Sequence, residues 1–233
     1  MRTLASTLWR VRRGSAARLA MAAVLGLLIT VGTGSVSVPA EPATRLVLED
    51  FAAKDEQGLP KGWKAQRNET KAREAYRVQS EPGLSFLAAK HADQRLFKRM
   101  GWEPKAWPIV TWRWRLKPGI MGKTPPSAAE DVIAAVFLSL DTDLLVIPVA
   151  TKYVWSLTKA KGTTTEGGLF SASEIVLRTG ASPVGEWVEE RVNAYEDFKR
   201  FHGHEPAKEA WGISLLGGPG VEVDFGPIVA SSP

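Results

Sequence analysis

The chain has 233 residues, no cysteine, and 30 Lys and Arg against 25 Asp and Glu. The lack of cysteine excludes disulfides, thiol nucleophiles, thiolate metal sites and lipid attachment to an N-terminal Cys. The whole basic excess lies in residues 1–40, where Arg2, Arg10, Arg12, Arg13 and Arg18 meet no acid, so the remainder is neutral and offers no basic field for nucleic acid or an anionic membrane.

Those arginines, the apolar run Leu19–Val31 and the small residues of Val38-Pro39-Ala40 read as an export signal, cut after Ala40. The apolar run has 13 residues, fewer than the ~20 a membrane span requires. An uncleaved N-terminal anchor is the alternative. The expectation is a protein of the periplasm or the exterior, without membrane attachment after cleavage. Residues 41–233 suffice for one domain with its own core.

In chain order, Arg45–Phe51 predicts a first strand, and Gly58–Trp63 a turn with an aromatic anchor. Residues 65–75 are charged and weakly patterned. Tyr76–Gln79, Leu84–Ala89 and Leu96–Arg99 predict short strands, and Trp102–Pro108 a Pro- and Trp-rich corner. Ile109–Lys117 alternates with period two: Val110, Trp112, Trp114 and Leu116 on one face, Thr111, Arg113, Arg115 and Lys117 on the other. Burying one indole is worth about 4–6 kcal/mol gross, at ~25 cal/mol/Å² over ~150–250 Å². Repulsion between Arg113 and Arg115, about 7 Å apart, is roughly 2.4 kcal/mol at an effective dielectric of 20. The tryptophans therefore choose the core side, and the arginine face meets water, acids or a ligand.

Pro118–Glu130 predicts a loop, and Val132–Leu140, apolar on both faces, an interior strand. Leu144–Ala150 continues apolar through Pro148, Lys152–Ser156 alternates, and Thr158–Ser173 predicts a second long loop of the kind that often carries function. Ser173–Arg178 and Trp187–Arg191 predict strands. One helix is predicted over Ala194–His202, capped by Asn193 with Glu196 three residues on, and stopped by Gly203. Ile213–Leu216, the turn Gly217–Gly220 and Val221–Val229 close the chain. About ten short strands and one short helix predict an all-β fold, an antiparallel β-sandwich.

Several segments together resemble a bacterial family of exported proteins known as domain of unknown function 3047. They are L-E-D-F with Gly62-Trp63, P-x-V-x-W-R-W-R over 108–115, Asp131, Tyr153-Val154-Trp155, Glu190-Arg191 with Asn193, Asp197-Phe198 and Asp224–Ile228. The resemblance extends over most of residues 46–230. It implies a jelly roll similar to galactose-binding or concanavalin-like modules, with first and last strands paired, L-V-L-E-D-F against V-E-V-D-F-G. This chain departs from the family pattern at Ala135, Val192 and Leu216–Gly220, where relatives carry Arg, Arg and an Asp/Asn-rich turn. A family site built on those positions is altered or lost here.

Three kinds of site are candidates. Tyr153 and Trp155 share a strand face and could stack on a sugar, with Arg113, Arg115 and Asp131 as polar partners. The family-matching Arg191, Asn193 and Asp197 join them as ligand-binding candidates, and all these aromatics also fit a core. Glu222 and Asp224, about 7 Å apart on one strand face, are catalytic candidates for an inverting glycosidase, against a role as strand-edge charges. Asp50 with Asp224 could hold a structural calcium, and His202 and His204 with Asp197 a metal. The working hypothesis is a noncatalytic module binding carbohydrate or envelope glycan; the competing classes are a glycan-cleaving enzyme and a structural envelope protein.

Overall fold

The computed structural model describes residues 44–119, 131–168 and 171–233. The export signal predicted over 1–40 and residues 120–130 of the first long loop lie outside the described residues. In chain order the elements are β1 (Arg45–Glu49), β2 (Lys64–Ala65), α1 (Glu69–Ala75), β3 (Tyr76–Glu81), β4 (Leu84–Lys90), β5 (Leu96–Arg99), β6 (Ile109–Leu116) and β7 (Val132–Thr142). They continue with β8 (Pro148–Ser156), β9 (Thr164–Thr165), β10 (Ser173–Thr179), β11 (Val188–Asn193), α2 (Ala194–His202), β12 (Gly212–Gly217) and β13 (Glu222–Ser231).

The strands form two sheets of a jelly-roll-type β-sandwich. One has the order β11-β6-β13-β4-β3, with β1 also on β13, and the other the order β2-β5-β12-β7-β8-β10-β9. The alternation in β6 sets the interior: Trp112 and Trp114 are 1% and 0% exposed, while Arg113 faces out. Tyr153 and Trp155 come from β8 in the opposite sheet and meet them. Trp112 lies 5.6 Å from Tyr153 and 5.5 Å from Trp114, and Trp114 lies 5.9 Å from Trp155, centroid to centroid. β7 is buried on both faces. Ala134, Val136 and Leu138 join this core, and Ala135 and Phe137 join a second apolar cluster with Val132, Ala150 and Val154 on the sheet's outer face.

Three expectations are corrected. β1 does pair with β13, but from Arg45 on Ser231 to Glu49 on Ile228. Glu222–Phe225 pairs with β4 instead, and the register breaks between Phe225 and Ile228, where Pro227 has no N–H for a ladder. The parallel β8–β10 pair makes the second sheet mixed; its crossover is the long Thr/Gly loop, as parallel neighbours demand. Finally, a second helix, α1, occupies residues read as charged and weakly patterned. Asn68 caps it by accepting from the Lys71 N–H, and only Ala72 of its seven residues is buried.

Candidate functional site

The predicted ligand-binding residues do not converge. Tyr153 and Trp155 are fully buried between the sheets and present no platform, because the apolar face of β8 is the one turned to Trp112 and Trp114. The Tyr153 hydroxyl donates to Asp197 at 3.0 Å, and Trp155 Nε1 to the Gly180 carbonyl at 2.7 Å. Burial raises the Asp197 carboxyl against the pull of Tyr153 and Arg200. Glu190 accepts from Trp114 Nε1 at 3.1 Å and from Arg178. Asp131 is buried and accepts from Ser156, and from Thr158 N–H and Oγ1 at 2.8 and 2.6 Å. Burial pushes the Asp131 carboxyl up, but these hydrogen bonds outweigh it and leave it lowered. Asn193 is exposed and caps α2 through the Glu196 N–H. Arg191 and Arg113 are exposed on β11 and β6, Arg113 paired with Glu189 at 3.0 Å.

Arg115 and Asp224 belong to a closed network on the outer face of the six-stranded sheet. Arg115 pairs with Asp224 at 2.8 Å and Glu81 at 3.0 Å, and its guanidinium lies 4.2 Å from the Trp187 ring and 5.2 Å from Phe86. Trp187 Nε1 donates to Glu81. Glu222 pairs separately with Lys90 at 3.1 Å. The carboxylates proposed as a catalytic pair are therefore both engaged, and Asp224 is only 2% exposed. Asp50 is exposed and caps the Ala52 N–H, whereas Asp224 is buried and paired with Arg115. Asp197 turns to Tyr153 and Arg200, away from the histidine pair, whose ring centroids are 6.2 Å apart. Among the described residues no group of three or more His, Cys, Asp and Glu could hold a metal.

A groove of about 610 Å³ lies instead on the outer face of the seven-stranded sheet. Sheet order places Phe97 of β5 beside Ser214 of β12, and register places Gly212 beside Ser139 of β7 and Ser139 beside Ala150 of β8. Trp211, just before β12, tilts by 30° over Phe97 with ring centroids 5.8 Å apart, and both are partly exposed. Gln66, Arg95, Ser139 and Ser214 provide polar groups around this pair. The far wall is aliphatic, from Ile147 to Ala150, with Gly167, Gly168 and Ala172 of the second long loop. His202 at the end of α2 also lines the groove; burial and then the neighbouring His204 lower its pKa, and its Nε2 is buried without a partner among the described residues. Among the described residues the one lining carboxylate, Asp143, accepts from the N–H groups of Leu145 and Ile147 at 2.9 and 2.8 Å. At the rim, the β7–β8 turn leaves Leu144, Leu145 and Val146 exposed.

Sequence reasoning does not single out Trp211 and passes over Arg95 and Phe97. The available signal is the alternation Arg95-Leu96-Phe97-Lys98, which buries Leu96 and turns Arg95 and Phe97 to the other face.

A family model described as Protein of unknown function (DUF3047) matches residues 61–216. The chain belongs to this family. Every residue lining the groove of this DUF3047 chain, from Gln66 to Ser214, falls inside the matched segment. No match is found among the curated proteins. Among solved structures the chain is similar to CtCBM11, with 9% identity and TM-score 0.43 over 83% of this chain and 98% of that one. It is also similar to endoglucanase 3 of Trichoderma harzianum, from family GH12, with 10% identity and TM-score 0.42 over 81% of this chain and 97% of that one. A third is a non-crystalline cellulose specific carbohydrate-binding module, CBM28, with 14% identity and TM-score 0.37 over 76% and 87%.

Proposed function

We propose that the protein is an exported, noncatalytic glycan-binding module, acting in the periplasm or outside the cell, and that the groove over the seven-stranded sheet is its binding site. The observation that carries this reading is the Trp211–Phe97 pair on the groove floor. Aromatic faces stack on the apolar face of a sugar ring while nearby hydroxyls and amides fix its orientation, the usual composition of a small-ligand site. Ser139, Ser214 and Gln66 supply those polar groups. Cleavage would need two carboxyl groups about 5–9.5 Å apart across the ligand. The described lining has Asp143 alone, committed to its own turn.

The test is a glycan array with the purified protein, followed by titration calorimetry on any hit. Trp211→Ala should weaken binding by about tenfold or more, equivalent to ~1.4 kcal/mol. Absence of any glycan binding at high micromolar protein, or full affinity in Trp211→Ala, would overturn the proposal.

A further inference from the structure

The partly buried basic side chains divide unevenly. Lys98 pairs with Glu49, Arg115 with Glu81 and Asp224, Lys152 and Lys159 with Glu174, Arg178 with Glu190. Arg73, Lys117 and Lys199 have carboxylate partners too. Arg95, which is also partly buried and lines the groove, is the exception among the described residues. Its Nε donates to the Gln66 side chain at 3.0 Å, and its guanidinium lies 4.5 Å from the Phe137 centroid. Lys152 also approaches Phe137, at 5.9 Å, yet it has Glu174. Covering that ring therefore does not require leaving a guanidinium without an acid.

The surroundings deepen the imbalance. Burial, then the charge of Arg67, lowers the pKa of Arg95, although a guanidinium stays charged at any ordinary pH. Arg99 lies over the Trp211 ring at 5.6 Å and adds a second positive charge beside the groove. Asp143 is six residues beyond Phe137 on the β7 line, roughly 20 Å away at ~3.3 Å per residue, too far to neutralise Arg95 in water. A half-desolvated charge without a counterion is costly, and a planar fork of donors suits a carboxylate or phosphate.

We infer that the groove takes an anionic saccharide, one whose carboxylate or phosphate is held by Arg95 while a sugar ring lies on Trp211 and Phe97. This rests on the glycan-binding reading and narrows its ligand class. The experiment measures the affinity of the protein for two matched pairs: oligogalacturonate against its methyl ester, and a phosphorylated mannan oligosaccharide against its dephosphorylated form. The acidic member of at least one pair should bind about tenfold or more tightly, with an affinity that falls as salt rises; the preferred pair identifies the anion. Arg95→Gln should abolish that preference by weakening the acidic member's binding far more than the neutral member's, and Arg95→Lys should retain part of it. Equal affinities within both pairs, or a preference that survives Arg95→Gln, would overturn the anion inference while glycan binding stands. Failure of all four ligands to bind would overturn this inference, while the glycan reading is decided separately by the array. The comparison of ligands on the unaltered protein does not depend on the variants folding.

Discussion

Glu174 illustrates how single residues hold the region around the groove. Its carboxylate accepts from Lys152 at 2.7 Å and Lys159 at 2.6 Å, tying β8 to the start of the long loop whose far part walls the groove. Burial pushes this carboxyl up, but the two ammonium hydrogen bonds outweigh it and hold it below its usual value of 4.5. A carboxylate depressed in the folded state contributes stability above its unfolded pKa and loses it as pH falls through the folded one. The protein should therefore lose stability as pH drops below about 4.5, and Glu174→Gln should remove that share of the loss while lowering stability at pH 7. Urea midpoints of both forms at pH 7, 5 and 3 check this; parallel pH dependence would refute it. Glu174 was legible only as a polar residue of a predicted strand, because both its lysines come from other segments.

At the scale of elements, legibility followed local chemistry. Asn193 and Gly203 bound α2 where predicted, since a cap and a left-handed stop act within one turn; Gly203 has φ 71°. Helix α1 escaped because its polar sequence buries one alanine and shows no periodic face. The alternation of Tyr153 and Trp155 gave a shared face correctly, but period two cannot say which side of a sheet is core. The groove needed more still, since Arg95 and Phe97, Ser139, and Trp211 with Ser214 come together only through the β5–β12–β7 register. Gly212 is where that register is tightest. A Cβ there would lie 2.2 Å from the Lys98 carbonyl oxygen, with φ at 154°. Backbone cannot yield as a flexible side chain can, so Gly212→Ala should push β12 from β5 and shift Trp211 off Phe97. The expected loss is about 1–3 kcal/mol, read as a lower urea midpoint with a weaker ligand affinity. Unchanged stability would show that the two strands can part without cost. Gly218 has a similar constraint, with a Cβ position 1.7 Å from the Val132 carbonyl oxygen. The glycine-rich turn over Leu216–Gly220 is thus fitted to this fold.

In the whole molecule, the two outer faces of the sandwich differ in what their side chains leave open. Outside the six-stranded sheet, Arg115 is saturated by Asp224, Glu81 and two aromatic rings, leaving nothing to offer a ligand. Outside the seven-stranded sheet, aromatic faces and a guanidinium with no carboxylate partner among the described residues border open space. Between them lies the buried aromatic column of Trp112, Trp114, Tyr153 and Trp155, with ring centroids 5.5–5.9 Å apart. Stability and binding should then separate by face. Asp224→Ala leaves Arg115 desolvated with one acid fewer, and breaking a buried pair from one side costs about 3–5 kcal/mol. Groove variants such as Arg95→Gln remove a partly exposed group with one neutral partner, and surface changes of that kind stay within roughly 0.5 kcal/mol. The expected pattern is a large drop in urea midpoint with intact glycan affinity for Asp224→Ala, and the reverse for the groove variant. Both quantities are measurable on one preparation at a temperature where each variant stays folded. If Asp224→Ala abolished binding while still folded, the two faces would be coupled through the column, and the ligand site would have to be sought on the arginine-bearing side.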